Sequence, residues 1–374
     1  MKRLLLSSLL LLSFLCAMSR PRVGLVLGGG GAKGAAQIGA LKYIERYDIP
    51  IDYIAGTSIG SVIGSLYAAG YRADELEQLL CQRPLLGTLT DRREDLRYKP
   101  FIRTVNGRDT LNYIFGFPAL NFRRGCIGLL SCDSVEHIID SLLSRKGITD
   151  FSDYRRTKFR CVATDLDFFK HVKEADLHQG NVAKAVRASM AFPVVIKHQE
   201  IDHQHLVDGG MMNNLPIDVV KQMGAEYVIV IDLQQGTITV DDEELRLESL
   251  FDLLSLVKDL RMDFANTILS KALSLGRQAA AALIDADDLG IIGWALHRPD
   301  KQRYIDNQRL YPAENVIYLH PYLPGRNVAS FGQEALRDMY DRGYQEAKTH
   351  KDELRRMMRR ANGAMSQPRH GHNT

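Results

Sequence analysis

Two short apolar runs near the start of the chain are each followed at once by a glycine-rich turn and then by a helix-like stretch. This repeated unit constrains the fold more than any other feature. Val23-Gly24-Leu25-Val26-Leu27 leads into Gly28-Gly29-Gly30-Gly31-Ala32-Lys33-Gly34 and a helix predicted to about Tyr47. Ile51-Asp52-Tyr53-Ile54-Ala55 leads into Gly56-Thr57-Ser58-Ile59-Gly60 and a helix predicted to about Gly70. Further strand-like runs occur at Phe159 to Thr164 and at Tyr227 to Asp232. Buried strands alternating with helices predict an α/β fold with a mostly parallel sheet covered by helices. Functional groups are then expected at the carboxyl ends of the strands.

The second turn fits Gly-x-Ser-x-Gly in a strand, turn and helix context, which is what a nucleophile elbow requires. Gly56 and Gly60 remove the Cβ atoms that would crowd so sharp a bend. Ser58 is therefore the candidate nucleophile, with the helix N-terminus favouring negative charge beside it. The first turn suits an anion site, since consecutive backbone N–H groups of Gly29, Gly30 and Gly31 can converge on one point. In an acyl hydrolase that anion is an oxyanion, and one such donor is worth ~3 kcal/mol of transition-state stabilisation. Gly29-x-Gly31-x-x-Gly34 also fits a dinucleotide fingerprint, but that reading wants an acid at the end of the second strand, and Asp52 lies at its start. A P-loop is excluded because Gly34, not Ser or Thr, follows Lys33.

A serine nucleophile needs a base, and Leu206-Val207-Asp208-Gly209-Gly210 followed by Asn213-Asn214-Leu215-Pro216 supplies a third glycine-bearing signal. Alone, Asp208-Gly209-Gly210 reads equally as a turn. Together, the glycine loop, the Gly-x-Ser-x-Gly elbow and the distant Asp-Gly-Gly resemble the patatin-like phospholipase family. Ala188-Ser189-Met190-Ala191-Phe192-Pro193 and Ala163-Thr164-Asp165-Leu166 are also similar to segments of that family. The resemblance runs from about Arg22 to Gln235, with a fainter echo at Leu323 to Ser330. It implies a three-layer fold with helices on both faces of the sheet. It also implies a Ser-Asp dyad without histidine: Ser58 as nucleophile, Asp208 as general base, Gly29 to Gly31 as oxyanion donors, and Gly34, Gly56, Gly60, Gly209 and Gly210 as supporting glycines. The expected activity is hydrolysis of lipid carboxylic esters, with no cofactor and no metal. Such a dyad is coherent in its own right, because partial burial raises an aspartate pKa and a short hydrogen bond orients proton transfer.

Histidine is the alternative base, and His297 and His320 come late enough for a Ser, acid, His order. Neither has a supporting motif. His198, His203 and His205 invite a metal reading, with His203 and His205 expected on one face of a strand. No acid-His helix motif completes that set, so a solvated hairpin near Asp208 is expected.

Lys2-Arg3 before the apolar run Leu4 to Met18, with Ala17-Met18-Ser19 behind it, reads as a signal peptide over residues 1–19 and predicts export. Lipidation at Cys16 is the lesser alternative, because Leu15 stands where a small residue usually precedes a lipidated cysteine. The chain has 48 basic and 45 acidic residues, and two of the basic ones are Lys2 and Arg3, so no basic stripe for nucleic acid is expected. Cys126 and Cys132 are close enough to pair, though buried thiols fit equally.

The organisation expected is a catalytic domain over residues 20–240, with an inserted lid or rim at about 84–131. There Phe101, Phe115, Phe117 and Phe122 interleave with arginines, which suits either a packed excursion or peripheral membrane contact. A helical extension over 241–350 that packs on the core follows, with an apolar stripe from Leu250 to Ile268. A basic, fraying tail closes the chain at 351–374. Other readings are a catalytically weak scaffold on the same fold and a dinucleotide-binding enzyme.

Overall fold

The computed structural model describes residues 20–82, 102–105, 108–111, 113–114, 117–118, 132–167, 171–192, 196–234, 299–326, 328 and 330–362. Strands β1 (Val23–Leu27), β2 (Ile51–Thr57), β7 (Lys158–Asp167), β11 (Tyr227–Ile231) and β12 (Val316–Leu319) run parallel in the order β12-β11-β1-β2-β7. Antiparallel β8 (His171–Leu177), β9 (Gln199–Ile201) and β10 (Gln204–Asp208) complete an eight-stranded sheet among the described residues. In the expected insertion, β3 (Ile102–Val105) pairs with β4 (Arg108–Leu111), and β5 (Tyr113–Ile114) with β6 (Phe117–Pro118). The rest of that insertion, including Phe101, Phe115 and Phe122, lies outside the described residues. So do the 1–19 segment, Cys126, the Leu250 to Ile268 stripe and His297.

One long strand sets up the site. At Cys161 and Val162, β7 is paired on both edges, to β2 and to β8. From Ala163 to Asp165 it stays paired to β8, while β10 takes over the edge that β2 has left. β2 runs parallel to β7 and ends with Thr57 opposite Val162; β10 runs the other way and ends with Asp208 opposite Ala163. Two strands thus meet end to end along one edge, and the residues that follow Thr57 and finish β10 are brought face to face. Segments 150 positions apart in sequence are aligned by two consecutive residues of a third.

Alternation along the strands divides the core into two layers. Val23, Leu25, Leu27, Ile54, Ile229 and Ile231 pack on one face under helices α1 (Gly34–Ile44), α2 (Ile59–Ala68), α3 (Asp133–Ser144), α4 (Val182–Ser189), α7 (Gln333–Thr349) and α8 (Lys351–Ala361). Val26, Ala55, Val162, Val228 and Val230 pack on the other face against α5 (Ile217–Gln222), with Tyr304 of α6 (Pro299–Gln308) at its margin.

The C-terminal region adds to the sequence reading in two places. The expected extension over 241–350, read as packing on the core, holds helices α6 and α7 in its described part, but it also holds a strand, and the expected fraying tail begins with a packed helix. β12 forms the edge of the central sheet, and α8 buries Leu354, Met357 and Ala361, so apolar spacing within its basic run ties it to the core. Helix α7 crosses α1 so closely that glycine is required on both sides. A Cβ on Gly39 would overlap the Tyr340 carbonyl, and one on Gly343 would overlap the Ala36 carbonyl. Because backbone cannot give way as a side chain can, Gly39→Ala and Gly343→Ala are each expected to destabilise by about 3 kcal/mol. Denaturant unfolding of either variant at wild-type midpoint would show that the helices separate at no cost.

Candidate active site

Ser58 sits between β2 and α2 with φ 54° and ψ −124°, a strained conformation for a side-chain-bearing residue. The flanking glycines explain why the bend closes. A Cβ on Gly56 would overlap the Gly60 carbonyl, and one on Gly60 would overlap the Leu27 carbonyl at the end of β1. The bend is then latched from outside. The Ser58 N–H donates to Ser189 Oγ at 3.0 Å, and Ser189 Oγ donates to the Val162 carbonyl at 2.6 Å. Inside the helix, Ser61 donates to the Ser58 carbonyl through its N–H and its hydroxyl, at 2.9 and 2.6 Å.

The elbow directs Ser58 Oγ at the end of β10, where it donates to Asp208 Oδ2 at 2.6 Å. The other carboxylate oxygen accepts from the Gly210 N–H at 2.8 Å. The backbone of Asp208 is fixed as well: its N–H donates to the Ala191 carbonyl at 2.9 Å, and its carbonyl accepts from Thr164 Oγ1 at 2.9 Å. A Cβ on Gly209 would overlap the Val162 carbonyl, so this turn can pass β7 only with glycine there. Burial pushes the Asp208 carboxyl up to about 6, against the opposing pull of the Ser58 and Gly210 hydrogen bonds. The site therefore couples a hydroxyl to a desolvated carboxylate whose affinity for a proton is raised towards the neutral range.

The glycine loop lies against this pair, and a Cβ on Gly29 would come within 3.1 Å of Ser58 Cβ. The three candidate oxyanion donors, Gly29, Gly30 and Gly31, are not equivalent. The Gly29 N–H donates to the Asn214 carbonyl at 3.2 Å, and Asn214 Nδ2 donates back to the Gly29 carbonyl at 3.4 Å. Gly29 is thus a brace, which corrects the expectation that it is an oxyanion donor. The N–H groups of Gly30 and Gly31 hydrogen-bond to no acceptor among the described residues. Gly31 has φ +55°, and the following Ala32 N–H donates to the Val328 carbonyl at 2.9 Å. The Leu323 to Ser330 segment, only a faint echo in the sequence, therefore holds the loop from behind.

His320 caps β12 and lies with Nδ1 3.3 Å from Asp232 Oδ2, the carboxylate raising its pKa. Tyr304 also hydrogen-bonds Asp232, and neither Ser58 nor Asp208 receives a histidine partner among the described residues. The dinucleotide reading fails on position: Asp52 is held by Arg20, Arg22 and the Val23 N–H at the strand starts, the far end from the glycine loop. An open depression of about 540 Å³ also lies at that far end, lined by Tyr53, Lys158, Arg160 and His178. The expected solvated histidine hairpin is corrected too. His203 lies in the turn rather than in a strand with His205, and His198 is buried.

The family model for patatin-like phospholipase matches residues 25–221, more than half of the chain. The chain belongs to the patatin-like phospholipase family. Among curated relatives, lysophospholipase NTE1 of Scheffersomyces stipitis is 29% identical over 220 residues, covering 58% of this chain. The Aspergillus niger lysophospholipase nte1 is 32% identical over 220 residues, covering 59% of it. The chain spans 12% of the length of each of these relatives. Among solved structures, VipD from Legionella pneumophila aligns over 89% of this chain and 67% of its own, with a TM-score of 0.40 and 15% identity. The patatin-like match ends at residue 221, before β11 and β12, although both strands belong to the same sheet.

Proposed function

We propose that this protein is a lipid acyl hydrolase that cleaves a carboxylic ester of a phospholipid or lysophospholipid through an acyl-enzyme on Ser58. The observation that carries the reading is the 2.6 Å hydrogen bond from Ser58 Oγ, on a strained elbow, to the buried Asp208 Oδ2. In acylation, Ser58 Oγ attacks the ester carbonyl as its proton passes to Asp208, and the departing alkoxide takes that proton as the C–O bond breaks. In deacylation, Asp208 accepts a proton from the water that attacks the acyl-serine and returns it to Ser58 Oγ as the acyl C–O bond breaks, which releases the fatty acid and restores the pair. The Gly30 and Gly31 N–H groups are the donors proposed for the oxyanion, aided by the N-terminus of α2. The lysophospholipase names of the matched relatives support a lipid rather than a peptide ester as substrate.

A fluorophosphonate probe tests the nucleophile. One adduct on the peptide containing Ser58 is expected, with fatty acid released from a mixed lipid extract by unmodified protein. Labelling elsewhere, with lipid hydrolysis left intact, would remove Ser58 from the reaction.

A further inference from the structure

The β9–β10 hairpin carries a second cluster of chemically competent side chains, separate from the Ser58–Asp208 pair. Glu200 is the register partner of His205 across the two strands, and His198 precedes Glu200 by two residues. Alternate residues of an extended chain and direct cross-strand neighbours share a face, so all three side chains project together. The hairpin holds that register firmly, because Asp202 and His203 occupy a two-residue turn with φ 49° and 65°, the left-handed pair that matches strand twist.

The distances suit a common ligand. His198 Nε2 lies 3.9 Å and His205 Nδ1 3.6 Å from Glu200 Oε1, and one donor atom from each residue falls within 4.8 Å of the others. Neighbouring ligands of a tetrahedral zinc ion are about 3.4 Å apart, given bonds of about 2.1 Å. Glu200 is exposed, so its carboxylate can shorten its own two distances, and the half-buried His205 is the ring that closes on buried His198. Two imidazoles and one carboxylate match Zn²⁺ and similar divalent transition ions, while Mg²⁺ and Ca²⁺ prefer all-oxygen sets.

We propose that His198, Glu200 and His205 form a binding site for Zn²⁺ or a chemically similar divalent transition ion. The site clips β9 to β10, the strand that ends in Asp208, and leaves a fourth coordination position to water. This assignment does not depend on the hydrolase reading, since its evidence is the hairpin alone.

The test is calorimetric titration of the chelator-treated full chain with ZnCl₂, repeated with MgCl₂ and followed by thermal melts. One equivalent of Zn²⁺ is expected to bind saturably and to raise Tm by about 5 °C at a hundredfold excess over Kd, with Mg²⁺ silent. Glu200→Gln, a surface change that leaves the core intact, and His205→Ala are each expected to weaken Zn²⁺ binding at least tenfold. His203→Ala, in the turn, is expected to leave it unchanged. Co²⁺ should give the intense visible absorption of a four-coordinate site in the parent and lose it in Glu200→Gln. Absence of a saturable equivalent in the parent, or affinity indifferent to both Glu200→Gln and His205→Ala, would overturn the assignment.

Discussion

Ser58→Ala is expected to remove ester hydrolysis, with turnover down by about 10⁴-fold or more, because only the attacking oxygen is lost. The fold should persist. Alanine keeps the elbow's φ of 54° and leaves the Ser58 N–H bond to Ser189 in place. Ser58→Gly separates mechanism from strain. It should be equally inactive yet about 1 kcal/mol more stable than the alanine variant, since glycine adopts a positive φ without penalty. Lipid hydrolysis retained by both variants, at unchanged melting temperature, would mean that another group attacks the ester.

Asp208→Asn is expected to lower turnover by ~10²-fold or more while making the protein more stable at alkaline pH. The sign follows from the raised pKa. Below the unfolded value near 4 the carboxyl is protonated in both states, and between 4 and about 6 the folded state holds the proton more tightly. Wild-type stability therefore falls as pH rises through this window, by roughly 3 kcal/mol, and stays lower above it. Asparagine carries no charge to desolvate. The variant should match wild type near pH 4 and exceed it at pH 8 in urea unfolding. Activity runs the opposite way, because general-base catalysis needs the ionised carboxylate. The wild-type kcat/KM should rise with pH to a plateau, with a midpoint near 6. His320→Ala should leave that midpoint in place, its imidazole being engaged with Asp232. A profile governed by His320, or an asparagine variant less stable at pH 8, would defeat the dyad reading.

Much of this site was legible because its signals are local. Gly56, Ser58 and Gly60 announce a sharp bend by side-chain size alone, and Val23 to Leu27 announces a buried strand by its unbroken apolar run. What escaped detection depends on which distant segments touch. Ser189 lay within a recognised segment, but its grip on the Ser58 N–H exists only once α4 is packed beside β7. Gly29 reads like its neighbours until Asn214, almost two hundred residues later, takes its N–H. His198 lies in a polar stretch, and only the fold shows that it is buried. The Val316 to Leu319 run is strand-like on its face, yet nothing local says that it joins the sheet beside β11.

That late strand carries a consequence for synthesis. Ser58 is translated before the sheet edge at 316–319, the Val328 carbonyl behind the glycine loop and the α7 helix that packs against α1. Loop-closure entropy makes such distant pairings slow to form. A ribosome-bound fragment that has already displayed Ser58 still exposes the apolar faces of β11 and α1 to solvent. Emergence of residues 316–349, rather than of Ser58, is then the event that closes the core around the site.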